Sequence, residues 1–294
     1  MTRQIRGSGG MIMPHIRNPI EWAADELRYG ARHAGSTGHS IHGGQGAPAI
    51  RRIAVTDLRE VLRKGLDDFG ACRTDVVFLC IIYPVAGLIL ARFAFDANLL
   101  PLLFPLASGF ALIGPVAAVG LYEMSREREQ GTNVSWAHAF GMVRAPSFGA
   151  IVVLGLVLLA IFLLWLGAAQ MIYMLTLGPE PPASVAAFVD DVFTTGAGWA
   201  MIVIGVGVGF LFAVAVLAIS VVSFPLLLDR DVGLGMAVGT SIRSVLANPI
   251  PMAAWGLIVA GGLVLGSIPL FLGLIIVMPV LGHATWHLYR KVVR

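Results

Sequence analysis

Two helix ends in this sequence carry side chains whose types and spacing could do chemistry. Glu123 follows Pro115 by eight residues and His287 follows Pro279 by the same interval, so they occupy equivalent places if the two segments repeat. A carboxylate and an imidazole with guanidinium groups nearby could hold an anion or relay a proton. The predicted polar cluster consists of Glu123, Arg126, Asp229, Arg230 and His287. The alternative is that these charges mark the end of a hydrocarbon layer and are solvated.

A histidine pair gives a second candidate site. His283 and His287 are spaced i, i+4, which places both on one side of a helix and could allow them to ligate a metal or help to hold haem. A haem–copper site needs further histidines deep in other spans, and the only other histidine next to a predicted span is His138. We therefore expect no catalytic set, cofactor or metal, with haem or metal at His283 and His287 as the weaker alternative.

The composition is that of a membrane protein. Hydrophobic residues make up 57% of the 294 residues and charged residues only 13%, and the mean hydropathy is +0.83. A soluble domain of this length would carry far more charge. The lipid bilayer is the expected partner, and a net charge of only +3 gives no support to nucleic-acid binding.

Six apolar stretches are long enough to be membrane-spanning helices, which must satisfy their backbone groups internally. They lie at about residues 76–95, 99–123, 148–177, 199–228, 250–267 and 268–288. An amphipathic segment precedes each pair, at residues 56–69, 134–146 and 234–247. The sequence therefore predicts an all-α polytopic membrane protein of six transmembrane helices. The spans form three hairpins, and a cytoplasmic amphipathic helix precedes each hairpin.

The first amphipathic segment has the clearest pattern. Its apolar positions recur every three or four residues, at Leu58, Val61, Leu62, Gly65, Leu66 and Phe69. The charged residues, Asp67 and Asp68 among them, are expected on the other side. A helix of this kind is predicted to lie against a membrane surface.

The chain divides into a polar N-terminal region and a transmembrane domain. Residues 1–50 have no signal-peptide core, so we expect them to be retained as a flexible cytoplasmic region with one short helix near residues 18–28. Residues 51–294 form the predicted six-span domain. The largest loop on the opposite face, residues 178–198, has three prolines before a short helix that ends near Phe193.

The basic residues predict the orientation. Nineteen of the 20 Lys and Arg residues fall on one side of the predicted spans, and Arg92 alone falls on the other. By the positive-inside rule both termini are cytoplasmic.

Glycines predict where helices approach closely. Gly205 and Gly209, and likewise Gly262 and Gly266, have the small-xxx-small spacing of packed transmembrane helices. The partner helix belongs either to the same chain or to a second copy, so a homodimer or another membrane-complex partner stays open.

Several runs of residues resemble those of an uncharacterised bacterial family of predicted integral membrane proteins. The runs are residues 17–22, Gly114-Pro115 with residues 120–126, Asn248-Pro249 before Trp255-Gly256, and residues 279–290. Some members of that family are labelled cytochrome c oxidase subunit I, a label that conflicts with the histidine count. The resemblance implies a location in the bacterial inner (plasma) membrane and brings no catalytic residues.

These observations predict a multi-pass bacterial plasma-membrane protein that is not an enzyme, either transporter-like or a scaffold for assembly. Prolines within spans, such as Pro84 and Pro225, suit hinged helices around a site. Two alternatives stay open. One is a redox subunit that binds haem or metal, and the other is a membrane-embedded enzyme of lipid metabolism.

Overall fold

The computed structural model describes residues 48–81, 84–85, 87–89, 92, 100–132, 134, 139, 141–143, 145 and 147–294. The helix predicted near residues 18–28 lies outside these residues. So do most of the predicted amphipathic segment 134–146 and part of the predicted first span, 76–95.

The described part of the chain has helices and no strand, which confirms the all-α fold class. Its helices are α1 (Asp57–Cys80), α2 (Leu103–Ala117), α3 (Val119–Glu129), α4 (Phe148–Thr176), α5 (Val185–Thr194), α6 (Gly196–Ser220), α7 (Ser223–Asp229), α8 (Leu234–Ala247), α9 (Pro249–Ser267) and α10 (Leu274–Val292). A short 3-10 turn, Leu100–Leu102, leads into α2.

Four helical runs among the described residues are long and apolar enough to cross a membrane. They are Leu100–Glu129, Phe148–Thr176, Gly196–Asp229 and Pro249–Ser267. Large apolar side chains on their outer faces, such as Leu164 and Phe210, are exposed in the isolated chain. A soluble protein seldom exposes so much apolar surface, whereas lipid covers it in a membrane. The chain is therefore an integral membrane protein with several apolar helices.

Two of these runs are interrupted near the same end. The run from Leu100 breaks at Ala118, just after Pro115, between α2 and α3. The long run from Gly196 breaks between α6 and α7, four residues before Pro225. Proline has no N–H and its ring crowds the carbonyl of the fourth residue before it, which here is Val221.

The first amphipathic segment differs from the prediction. It is the first part of α1, which continues through a kink at Cys72 to Cys80. Leu58 and Val61 are buried, and α1 packs along α10 more extensively than any other pair of described helices. Protein therefore covers the part of the apolar face that holds Leu58 and Val61, whereas Leu66, predicted on the same face, is 53% exposed.

The third hairpin also departs from the predicted boundaries. Residues 268–273, predicted to open the sixth span, form a turn, and α10 runs from Leu274 to Val292, four residues beyond the predicted end. It is not among the four runs that meet the length and hydropathy requirement. The preceding helix, α8, occupies residues 234–247 as predicted. Pro249 begins α9, because proline is favoured in the first turn of a helix.

The C-terminal residues are tied to residues 49–51 beside the polar half of α10. Arg51 N donates to Val292 O at 2.7 Å and Arg294 N donates to Ala49 O at 3.0 Å. Asn248 binds the same segment: its Oδ1 accepts from Ile53 N at 2.8 Å and its Nδ2 donates to Arg51 O at 3.1 Å. We call residues 49–53 with these bonds the strap. We call this end of the bundle, which also holds the last turn of α3 and the whole of α7, the basic end.

The opposite end carries acidic residues and a short helix. The predicted helix in the loop 178–198 is α5, which begins after Ser184, whose hydroxyl accepts from Ala187 N at 3.1 Å. Such an N-cap satisfies one of the free N–H groups of the first turn. Glu180, Asp190 and Asp191 are exposed here.

The close approach of α1 and α10 can be tested at two glycines of α1. A Cβ at Gly65 would lie 2.7 Å from Ala284 Cβ and 2.8 Å from Val280 O, whereas a Cβ at Gly70 would meet nothing within 4 Å. We expect Gly65→Ala to lower the free energy of unfolding by about 1–3 kcal/mol through overpacking. The matched Gly70→Ala should raise it by up to about 1 kcal/mol, because alanine favours a helix. Thermal unfolding in detergent measures both, and equal effects would contradict the contact.

Candidate functional site

The most connected polar group in the described structure is a buried carboxylate at the basic end. Asp68 on α1 is 7% exposed, and Ser125 on α3 and His283 on α10 are each 1% exposed. Arg128 on α3 and His287 on α10 complete what we call the Asp68 cluster. The i, i+3 and i, i+4 spacings place Ser125 with Arg128, and His283 with His287, on one face of their helices. Both faces meet Asp68.

The carboxylate of Asp68 is satisfied from two other helices. Oδ2 accepts from Ser125 Oγ at 2.7 Å and lies 2.8 Å from His287 Nε2. Oδ1 pairs with the guanidinium of Arg128. A buried ion is tolerated only when such partners replace its lost hydration. Asp68 therefore joins α1 to α3 and α10.

The hydrogen positions in the cluster follow from the single proton of Ser125. Ser125 Oγ donates to the ionised carboxylate, so it must accept from His283 Nδ1, which lies 2.7 Å away. His287 donates its Nε2–H to Asp68. His283 Nε2 is buried and has no hydrogen-bond partner among the described residues. A chain of hydrogen bonds thus runs from buried His283 to partly exposed His287.

The residue types of this cluster are those of a serine hydrolase, but their connectivity is different. In a catalytic triad the histidine lies between serine and aspartate and removes the serine proton. Here Ser125 lies between His283 and Asp68 and gives its proton to the carboxylate. Ser125 is also buried. The arrangement does not make Ser125 an activated nucleophile.

The hydrogen bonds also set the pKa of Asp68. Burial opposes ionisation, but the hydrogen bonds from His287 and Ser125, together with the nearby histidines, outweigh it and lower the pKa of Asp68 below its usual value. The ionised form is therefore the one that the fold stabilises.

A second set of polar contacts joins α10 to α3 and α7. Tyr289 Oη donates to Asp229 Oδ2 at 2.6 Å, and Arg290 Nη1 lies 3.5 Å from the same oxygen. Arg290 Nε also donates to Glu129 Oε1 at 3.2 Å, and Trp286 Nε1 donates to Glu129 Oε2 at 3.1 Å. Burial against the Asp229 carboxylate raises the pKa of Tyr289. We call these five residues the Asp229 tie.

The predicted polar cluster is divided between these groups. Glu123 forms a two-bond ion pair with Arg126, at 2.6 and 2.8 Å. Arg230 Nε lies 3.7 Å from Asp229 Oδ2. His287 binds Asp68, and no hydrogen bond in the described structure joins it to Glu123. All five predicted residues do lie at the basic end.

Sequence reasoning missed Asp68 by assigning it to the polar side of α1. Its register shows otherwise: Leu58, Val61, Gly65, Asp68 and Cys72 follow one another at intervals of three and four residues, and all five are buried. A carboxylate in an apolar stripe is the signal that could have found it.

Lys291 fixes the first turns of α1 to the end of α10. It pairs with Glu60 and lies 3.3 Å from Asp57 Oδ1. Its hydrogen bond lowers the pKa of Glu60 to about 2. The pKa of Asp57 is also lowered, first by the backbone N–H of Ala54 and then by Lys291.

The structure places the predicted packing glycines in different surroundings. A Cβ at Gly209 would lie 3.1 Å from the Trp165 ring of α4, and one at Gly262 would lie 3.2 Å from Val277 of α10. Gly266 faces Leu274 across the third hairpin. A Cβ at Gly205 would meet no atom of the described residues within 4 Å.

The two histidines of the predicted metal pair are both engaged in the Asp68 cluster, through His283 Nδ1 and His287 Nε2. Among the described residues, no group of three or more His, Cys, Asp and Glu side chains is placed to hold a metal ion.

Comparison with protein families matches residues 103–229 to the family described as "Predicted integral membrane protein (DUF2189)". The match confirms the resemblance over these residues, which extend from the start of α2 to the end of α7. They include Ser125, Arg128 and Asp229 but not Asp68 or α10. No curated protein and no solved structure matches the chain.

The role of Asp68 can be measured by removing its charge. We expect Asp68→Asn to lower the free energy of unfolding by about 3 kcal/mol, the usual cost of breaking a buried ion pair from one side. Its neighbour Asp67 is exposed, so the matched Asp67→Asn should change the value by less than about 0.5 kcal/mol. Thermal or denaturant unfolding in detergent compares the two. Similar losses would contradict the structural role of Asp68.

Acidification provides a second test of the same carboxylate. Because the folded state lowers the pKa of Asp68 from its ordinary 3.8, its contribution to stability is complete above that value and is lost as the pH falls through the lowered pKa. The stability difference between wild type and Asp68→Asn should therefore shrink as the pH falls below about 4, where the carboxylate begins to be protonated. A difference that grows on acidification would contradict this assignment.

Proposed function

We propose that the chain is a non-enzymatic, transporter-like protein of the bacterial inner membrane with both termini in the cytoplasm. Three helical hairpins leave the cytoplasmic side at about residues 76, 148 and 249 and return to it near residues 129, 229 and 292. The basic end is the cytoplasmic end, as the position of nineteen of the 20 Lys and Arg residues supports.

The observation that carries this proposal is the short helix α7. Residues 223–228 are all buried, so α7 is enclosed by protein on every side. It contacts α3, α4, α8 and α10. A break at Val221 and Val222 separates it from the long span α6. A buried apolar segment that follows a break in a span, at one end of a bundle, can close that end. We call α7 the plug in this sense.

Interrupted spans are a common property of transporters, in which broken helices meet near the substrate path. Here α2–α3 and α6–α7 are both interrupted, and the two short segments beyond the breaks, α3 and α7, contact each other. Together they can move relative to the long helices α2 and α6 without breaking the rest of the bundle. Such a movement would open the cytoplasmic end.

The polar contacts described above act as the lock in this proposal. α3 is held by Asp68 through Ser125 and Arg128 and by α10 through Glu129. α7 is held by α10 through Asp229. Separating α3 from Asp68 would cost about 3 kcal/mol, so in this proposal the closed state predominates and the open state is a minor one.

The interior favours a small uncharged solute. Where α2 and α4 meet, the polar groups in contact are the Ser108 hydroxyl and the Trp165 indole, with Trp165 Nε1 donating to Ser108 Oγ at 2.9 Å. Both groups are neutral, and the Ser108 hydroxyl also donates to Pro105 O at 2.6 Å. A charged solute would need a charged partner at this depth.

Transport can be tested before the solute is identified. We expect everted vesicles from cells that overproduce the chain to accumulate or lose at least one small metabolite faster than vesicles from a deletion strain, as measured by mass spectrometry of filtered vesicles. Tyr289→Phe, which removes the O–H that holds Asp229, should increase that rate because it weakens the lock.

The matched control is Tyr173→Phe, which removes a hydroxyl that donates to Glu180 O at 2.6 Å at the opposite end. It should leave the rate unchanged. Identical metabolite profiles in overproducing and deletion vesicles would overturn the transport proposal. An equal effect of the two tyrosine substitutions would overturn the lock.

A further inference from the structure

The turn between α9 and α10 presents apolar side chains at its tip. Ile268, Leu270 and Leu272 are 72%, 69% and 57% exposed. Residues 268–273 include no charged, amide or hydroxyl side chain. In water this tip would expose a continuous apolar surface of the kind that proteins normally cover.

The loop that joins α4 to α6 at the opposite end has the reverse character. Glu180, Asp190 and Asp191 are exposed there, and the hydroxyls of Ser184 and Thr195 cap helices. That loop is suited to water and headgroups. The α9–α10 turn, which the six-span prediction places at the same membrane face, is suited to hydrocarbon.

The apolar part of α10 is too short to cross a bilayer. From His283 onwards α10 takes part in the polar contacts of the basic end. Only residues 274–282 of the helix remain for the membrane interior, and nine residues rise ~14 Å. The hydrocarbon core is ~30 Å thick. A hairpin whose base is held at the basic end therefore ends within the hydrocarbon core.

The start of α9 lies at the same level as the end of α10. Asn248, the residue before α9, binds Arg51, and Arg51 binds Val292 at the last turn of α10. Gly262 faces Val277 and Gly266 faces Leu274, so the two helices remain paired up to the turn. Although α9 has the length of a span, its first turns lie beside the polar half of α10.

The depth of the tip can be compared with the neighbouring run Leu100–Glu129. α10 runs parallel to α3 and to the end of α2: Gly282 lies against Leu121 of α3, and Met278 Cε would be 3.8 Å from a Cβ at Gly114 of α2. Continuing this register places Leu274 level with about residue 110, ten residues after Leu100. The run that begins at Leu100 therefore reaches ~15 Å farther from the basic end than the start of α10 does. The compact α9–α10 turn adds only ~5 Å to α10, so its tip does not reach the level of Leu100.

The first predicted span, residues 76–95, gives a second comparison of depth. A Cβ at Gly87 would lie 2.7 Å from Cγ of Phe271, in the α9–α10 turn. Gly87 is near the middle of that span. The tip therefore packs at the depth of the bilayer centre by this measure as well.

Most of the backbone N–H groups of the turn are satisfied within the hairpin, which lowers the cost of placing it in hydrocarbon. Of the six N–H groups from Ile268 to Leu274, Pro269 having none, those of 268, 270, 271, 272 and 274 donate to carbonyls of the same hairpin at 2.9–3.2 Å. The hydroxyl of Ser267 donates to Leu263 O at 2.8 Å. Unpaired backbone groups would be costly at this depth, where irregular backbone is tolerated when protein covers it. Here Gly87 lies against Phe271 on one side of the turn.

We infer that α9 and α10 form a re-entrant hairpin, which enters and leaves the membrane at the basic end and whose tip is contacted by acyl chains near the bilayer centre. The partner of this apolar surface is lipid hydrocarbon. The third hairpin then contributes no full crossing, and the two termini still lie on one side. This inference does not depend on transport.

Single cysteines can locate the tip in membranes, in a Cys72→Ala, Cys80→Ala background. Ile268→Cys is preferred because Ile268 has ordinary helical backbone angles, φ −52° and ψ −50°. With a membrane-impermeant maleimide, Glu180→Cys should be labelled in intact spheroplasts and Val55→Cys only after lysis. Ile268→Cys should be labelled at least about tenfold more slowly than either control, from both sides, because thiolate chemistry needs water.

A nitroxide at residue 268 distinguishes lipid from protein as the cover. We expect it to collide readily with oxygen and poorly with a water-soluble nickel chelate. Labelling of Ile268→Cys in intact spheroplasts at the rate of Glu180→Cys would overturn the inference, since the tip would then reach the far side. Poor collision with both reagents would also overturn it, because protein would then cover the tip. Leu272→Cys repeats the test if the first variant is not folded.

Discussion

The burial of one ionised carboxylate is the constraint on which the rest of this structure depends. Asp68 is removed from water by the same face of α1 that buries Leu58 and Val61, so its charge must be met by partners from elsewhere. These come from α3 and α10. Three helices are thereby fixed in register, because a displacement of one turn by any of them would leave a charge unpaired.

α10 has two halves with opposite requirements, and this division organises the basic end. Its second half supplies His283, His287 and Arg290 to polar partners on three other helices. Its first half is apolar and pairs with α9. Because the polar half must remain with its partners, the apolar half extends only a limited distance into the membrane. The depth of the third hairpin thus follows from the contacts at its base.

Much of the fold was predictable from the sequence because hydropathy and helix breakers act locally. The α-class, the extent of α8 and the start of α9 at Pro249 all follow from such local signals. The Asp68 cluster does not, since its contacts join residues that are 57 to 219 positions apart. Nothing local distinguishes Asp68 from Asp67 except its register on the apolar stripe. The packing of α1 on α10 was missed because an amphipathic helix on lipid and one on protein share a pattern.

A hairpin held by polar contacts at its base alone differs mechanically from a helix that spans the bilayer. A spanning helix is fixed at both interfaces by polar residues, whereas α9 and α10 are held by the strap at Asn248 and by the two polar groups around α10. Any rearrangement of those groups would tilt the hairpin as a unit. Since α7 is tied to α10 through Asp229, the opening proposed for α7 would be coupled to a movement of the hairpin.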